Sequence, residues 1–187
     1  MLIIPPRNKL RSLPLHEAAS RGNTAMIKEL LSKGIDVNEL DDVGGTAILT
    51  AAANSYSNSI RLLASAKGDV DKPDMEGTSP LHKAAENGHT RAIIALVDSG
   101  AHIHQRNRRG ETPLHLAALN NHGDAVRELL RIGGRPDVKN NGGKSVLAVA
   151  KACNASAALE ALKEHAEKKT FFYKLKKKLF GTPKKRR

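Results

Sequence analysis

The chain has no tryptophan, one cysteine, and five aromatic side chains in 187 residues. A core without large rings must be filled by Leu, Ile, Val and Ala, which suits thin layers of closely packed helices. The lone Cys153 excludes an internal disulfide and fits a reducing compartment. No apolar run approaches the ~18 residues of a membrane-spanning helix. The start, Met1 to Pro6, lacks a basic lead and has too short an apolar run for a signal peptide. No phosphate-cradling glycine loop, nucleophile elbow or paired catalytic motif is present. We therefore expect a chain that is soluble or peripheral to a membrane, with no catalytic residue, cofactor or metal.

Charge is plentiful but uneven. The formal net charge is +12, yet residues 168–187 hold ten Lys or Arg and no acid. The remaining 167 residues are nearly balanced. The excess belongs to the tail and says little about the folded body.

Laid on itself at a step of 33 residues, the sequence repeats. Leu15 leads to Ile48, Leu81, Leu114 and Leu147, and Ala18 to Ala51, Ala84, Ala117 and Ala150. Ile27 leads to Ile60, Ile93, Val126 and Leu159, and Leu30 to Leu63, Leu96, Leu129 and Leu162. Four apolar ladders thus run through five units without insertion. Each unit predicts two short helices. Pro14 opens the first, where its missing N–H costs nothing. Ile27, Leu30 and Leu31 mark one face of the second, and Gly34, Gly100 or Gly133 stops it. Asp41, Asp74, Asn107 or Asn140, followed three residues on by glycine, predicts a hairpin-like turn to the next unit.

Within this frame, Gly110-Glu111-Thr112-Pro113-Leu114-His115-Leu116-Ala117-Ala118 resembles the signature of the ankyrin repeat family. Ser79-Pro80-Leu81-His82-Lys83-Ala84-Ala85 and Leu13-Pro14-Leu15-His16-Glu17-Ala18-Ala19 match with one change at the Thr position. The resemblance implies an all-α solenoid of helix–loop–helix units with hairpin-like turns. The units run over about 10–41, 42–74, 75–107, 108–140 and 141–167, with an N-terminal extension 1–9 and a tail 168–187. It also implies that His16, His82 and His115 bond locally and to the neighbouring unit, and that a concave face binds a protein.

Departures carry expectations too. Lys67 stands where other units have glycine, so that helix end is strained or shifted onto Gly68. Asn121 replaces a turn glycine. Unit two, with Thr46-Ala47-Ile48-Leu49, is expected to be the weak joint. In unit five, Lys151 replaces the alanine of Ala85 and Ala118, and Lys163 replaces Leu130, which reads as a C-terminal cap. Leu2, Ile3 and Ile4 are expected to fold over unit one, and Cys153 to be a small buried thiol. His102 and His104, at i and i+2, have no acid or cysteine near them in sequence to complete a zinc site.

Candidate partner-binding residues lie in turns whose sign changes along the stack. Acids dominate the first two turns, with Asp41, Asp42, Asp74 and Glu76, whereas Arg106, Arg108 and Arg109 dominate the third. Such segregation steers a partner and fixes its direction. Leu116 and Leu119 are expected to project from the first helix of unit four as an apolar anchor beside the basic turn.

The tail places Phe171, Phe172, Leu175 and Leu179 within about 100° of arc at 100° per residue, with Lys174 and Lys177 on the other side and Lys178 at the edge of the arc. With Lys176 and Phe180 these form a short basic amphipathic helix, broken by Gly181 and Pro183 and followed by Lys184 to Arg187. An anionic membrane or an acidic partner uses both rings and charges. A nuclear import signal uses only the charges. Nothing reads bases, so nucleic-acid binding would be unselective. The expected role is a monomeric adaptor, cytoplasmic or membrane-peripheral. The alternatives are a nuclear regulator and a microbial effector that binds host protein.

Overall fold

The structure, a computed structural model, describes residues 13–180, with side chains through Lys174. Ten helices follow in pairs: α1 (Pro14–Ser20) and α2 (Thr24–Ser32), α3 (Ala47–Ala53) and α4 (Ser57–Ser65), α5 (Pro80–Glu86) and α6 (Thr90–Asp98), α7 (Pro113–Leu119) and α8 (Gly123–Arg131), α9 (Val146–Ala152) and α10 (Ser156–Phe180). The first helices of successive units touch one another in order, and so do the second helices. The result is a two-layer stack of five units.

The short first helices are started by their sequence. Pro14, Pro80 and Pro113 sit in the first turn, and the Thr46, Ser79 and Ser145 hydroxyls accept from backbone N–H groups three residues on. Such caps satisfy otherwise orphaned donors. The helices then press together through alanine pairs. Ala51, Ala52, Ala84, Ala85, Ala117 and Ala118 are all fully buried. The aliphatic ladders fill the space between layers, and each ladder residue from Ile27 to Leu129 is buried except the half-buried Leu30. Truncating one of the buried ladder leucines to alanine costs about 2–5 kcal/mol in such cores.

The histidines lock each unit to the next. His82 Nδ1 lies 2.8 Å from the Ser79 hydroxyl, and its Nε2 lies 2.9 Å from the Glu111 carbonyl. His115 repeats this with Thr112 and the Lys144 carbonyl. His16 reaches the Gly45 carbonyl, but its Nδ1 is buried without a partner among the described residues, because Leu13 supplies no hydroxyl. A second ladder escaped the sequence reading. His89 Nε2 meets the Ala53 carbonyl and His122 Nε2 the Glu86 carbonyl, again one unit away.

The backbone resolves the departures from glycine. Lys67 itself adopts φ 68°, and Gly68 does not take over the left-handed position. Asn121 adopts φ 58°, as do its counterparts Ser55 and Asn154 at 63° and 52°. The Asn121 side chain adds something a glycine lacks: its Oδ1 accepts from the Ala157 and Ala158 N–H groups at 2.8 and 3.2 Å. It therefore caps a helix of the next unit.

Three expectations need correction. Cys153 is exposed. It follows α9 at the register of Arg21, Asn54, Asn87 and Asn120, a position exposed in every unit. Leu147 is 42% exposed although its ladder mates are at most 2% exposed, because among the described residues no further unit covers it. The boundary at 167/168 falls inside α10, which runs without interruption for 25 residues, so the tail helix continues unit five. Leu2, Ile3 and Ile4, and Lys184 to Arg187, lie outside the described residues.

Candidate functional site

Each turn between units is built the same way. The backbone N–H of Asp41, Asp74, Asn107 and Asn140 donates to the carbonyl four residues on, at 2.9–3.0 Å. The side-chain oxygen of the same residue accepts two further N–H groups inside the turn. Asp41 and Asp74 are thus consumed in shaping turns, at register positions where neutral Asn107 and Asn140 serve equally well. Their carboxylates, expected to bind a partner, are half-buried in the turn, whereas Asp42 and Glu76 beside them are exposed. The tips beyond them also bond to one another: Met75 N–H donates to Val43, Arg108 N–H to Glu76, and Asn141 N–H to Arg109 carbonyls. The tips form a continuous row of fixed spacing.

What the row presents to solvent is a series of exposed dipeptides. They are Asp42-Val43, Met75-Glu76, Arg108-Arg109 and Asn141-Gly142. Asp42, Glu76, Arg108 and Arg109 remain as candidates. The structure adds Val43 and Met75, which are 61% and 59% exposed. They were missed because apolar residues in a turn carry no periodic signal. The register of the tips, a step of 33 from Asp42, would have found them. The row reads acidic and apolar over two tips, basic at the third and neutral at the fourth.

The basic tip is partly neutralised from below. Arg109 Nε lies 3.4 Å from the buried Glu111 carboxylate, and Arg106 donates to the Lys139 carbonyl at 2.9 Å. Arg108 makes no side-chain ion pair among the described residues. Behind the tips, His102 pairs with Asp71 of the preceding unit, and this hydrogen bond holds its pKa above the ordinary imidazole value. Burial instead pushes His82 and His115 down, which disfavours their charged form.

Leu116 and Leu119 do not form a joint anchor. Leu116 is 3% exposed, whereas Leu119 is 36% exposed. Leu119 is also the last residue of α7, and Arg108 and Arg109 precede its first turn. Six residue steps put it about 9 Å down the helix axis from that first turn. The anchor expected beside the basic tip is therefore one leucine at the far end of the helix.

On α10, Phe171 and Phe172 are both exposed and meet edge to face with ring centroids 5.9 Å apart. The backbone of Leu175, Lys176, Lys177, Lys178, Leu179 and Phe180 continues the helix, and their side chains lie outside those described. Among the described residues, no cluster of three or more His, Cys, Asp or Glu is arranged to hold a metal. No described helix is long and apolar enough to cross a membrane.

Comparison with known proteins agrees with this geometry. The sequence model for ankyrin repeats (three copies) matches residues 15–107 and 81–171. Osteoclast-stimulating factor 1 of Rattus norvegicus is 39% identical over 49 residues, which is 26% of this chain and 23% of that protein. The Gallus gallus protein of the same name is 40% identical over 47 residues, 25% of this chain and 23% of its own length. This chain thus spans about a quarter of the length of these relatives. With the family match extending over most of the described stack, and with its helix pairs, histidine locks and turns all in place, the chain belongs to the ankyrin repeat family.

Proposed function

We propose that this protein is a non-enzymatic adaptor that holds a protein segment along its turn tips and the adjoining concave face. Ankyrin repeats serve as protein-interaction modules, and the finer reading rests on one observation. The tip dipeptides divide into an acidic and apolar half, Asp42 to Glu76, and a basic step at Arg108 and Arg109. A segment with cationic and apolar residues at one end and acids at the other fits this row in one direction only. Leu119 gives it an apolar contact on the face behind the tips.

The test is kinetic. Arg108→Glu with Arg109→Glu should slow association, because steering charges act mainly on the on-rate. Leu119→Ala should speed dissociation, as loss of an anchor does. Unchanged rates in both variants would defeat the reading.

The tail is proposed to dock this adaptor on an anionic membrane. The exposed Phe171 and Phe172 support this over a pure import signal, which has no use for rings. Phe171→Ala with Phe172→Ala keeps every positive charge and should release the protein from anionic vesicles in sedimentation. Full retention would favour the nuclear alternative, in which localisation depends on the lysines alone.

A further inference from the structure

We propose that the open C-terminal end of the stack is a second binding site, which receives an acidic amphipathic helix from a partner protein. In the first four units, the ladder position of Leu15, Ile48, Leu81 and Leu114 is sealed by the unit that follows. Among the described residues, no unit packs over Leu147. Leu147, Leu159, Leu162 and Ala166 line a recess of about 560 Å³ between α9 and α10. Its place in the stack is where the next unit would lie against α9. The recess therefore offers an apolar floor of the kind that receives a helix ridge.

The floor extends along α10. Leu162, Ala166, Lys169 and Tyr173 fall at i, i+4, i+7 and i+11, one stripe of a continuous helix. Tyr173 is 66% exposed and carries the stripe past the end of the stack. Phe171 lies half a turn away from Leu162, on the opposite side. The tail helix thus has two separate apolar faces, and the one that meets the recess is distinct from the one proposed to meet a membrane.

Charge selects the occupant. Lys151, Lys163 and Lys169 border the recess. The one acid among the lining residues, Asp137, is paired with Arg135 at 3.2 Å, and just outside the lining Glu167 lies 4.0 Å from Lys163, so the rim keeps a net positive charge. A second copy of this end would set lysines against lysines. Residues 181–187 carry Lys184, Lys185, Arg186 and Arg187, the same sign again. A flat bilayer does not enter a concave recess. A helix with an aliphatic ridge flanked by Glu or Asp matches both the floor and the rim.

The experiment uses the full chain and a fluorescent helical peptide of about 20 residues, with Leu and Ala on one face and Glu elsewhere. Fluorescence anisotropy near 0.1 M salt should show saturable binding, and a peptide with Lys in place of each Glu should bind at least about tenfold more weakly. Lys151→Glu with Lys163→Glu should cost about tenfold or more, and so should Leu147→Asp. All three residues are exposed, so circular dichroism and melting should stay at the parent values. Arg108→Glu with Arg109→Glu, and Leu119→Ala, should leave this binding intact, which separates the site from the tip row. Absence of binding, equal binding by the lysine variants, or loss through the Arg108 and Arg109 changes would overturn the proposal. So would self-association that Leu147→Asp abolishes, or anionic-vesicle binding that it abolishes.

Discussion

Replacing Lys67 by glycine and Asn121 by glycine should change stability in opposite directions, although both residues hold the same left-handed backbone. An L-residue pays about 1–2 kcal/mol for that conformation. Glycine gives back about 0.5–1 kcal/mol through its greater freedom in the unfolded chain. At Lys67 nothing else is lost. The residue donates its N–H to Ala64 at 3.0 Å and accepts from Asn38 at 3.4 Å, both through backbone atoms that glycine retains. Lys67→Gly should thus gain about 0.5–1 kcal/mol, or roughly 1–4 °C in melting temperature for a chain of this size. At Asn121 the side chain accepts from two N–H groups at the start of α10. Losing that cap costs about 1–2 kcal/mol, and asparagine is strained less in this region than lysine. Asn121→Gly should be destabilising by about 1 kcal/mol. Urea unfolding followed by far-UV circular dichroism measures both. A loss at Lys67, or a gain at Asn121, would refute the reasoning. A gain at Lys67 would also agree with the proposal that unit two is the weak joint.

Further outcomes follow from single contacts. Leu13→Thr should stabilise by about 0.5–2 kcal/mol, since the hydroxyl would cap α1 and give the orphaned His16 Nδ1 a partner; an unchanged urea midpoint would count against this. Asp74→Ala should destabilise by about 1–2 kcal/mol, because the Glu76 and Thr78 N–H groups lose their common acceptor, whereas Glu76→Ala should leave the midpoint in place. For pH, the folded-state pKa values of His82 and His115 are depressed by burial. Their contribution is fully present above the unfolded value of about 6.5 and is lost as pH falls through the lowered folded values. The urea midpoint should therefore drop on acidification across that window, and less so in His82→Gln. His102, raised by Asp71, has the opposite sign: its contribution is lost as pH rises through the raised value, and Asp71→Asn should remove that slope.

The fold was legible because its core is periodic. A step of 33 aligns residues that must be buried together, and no insertion disturbs the register. The candidate site was only half legible for the same reason. Asp41 and Asp42 are neighbours in sequence and alike in charge, yet one closes the turn and the other faces solvent. Only the turn's hydrogen bonds separate them. Leu116 and Leu119 fit one helical stripe, but α5, α7 and α9 pack so closely that just one of them emerges. The α10 extension was hidden because the apolar ladders stop at unit five while lysine and phenylalanine remain good enough company for a helix to continue. Leu147 keeps the apolar identity of its ladder although no further unit covers it among the described residues, and the lysines at 151 and 163 were the sequence signal of that end.

The central claim is that partner binding runs along the turn tips and the end of α7. Hydrogen exchange on the full chain, alone and with the protein that it retains most strongly, tests this directly. Added protection should appear at Met75, Glu76, Arg108 and Arg109 and at the Leu119 end of α7, with little change in α4 and α6. Protection confined to α4, α6 and α8, with the tips exchanging as in the free chain, would contradict the account.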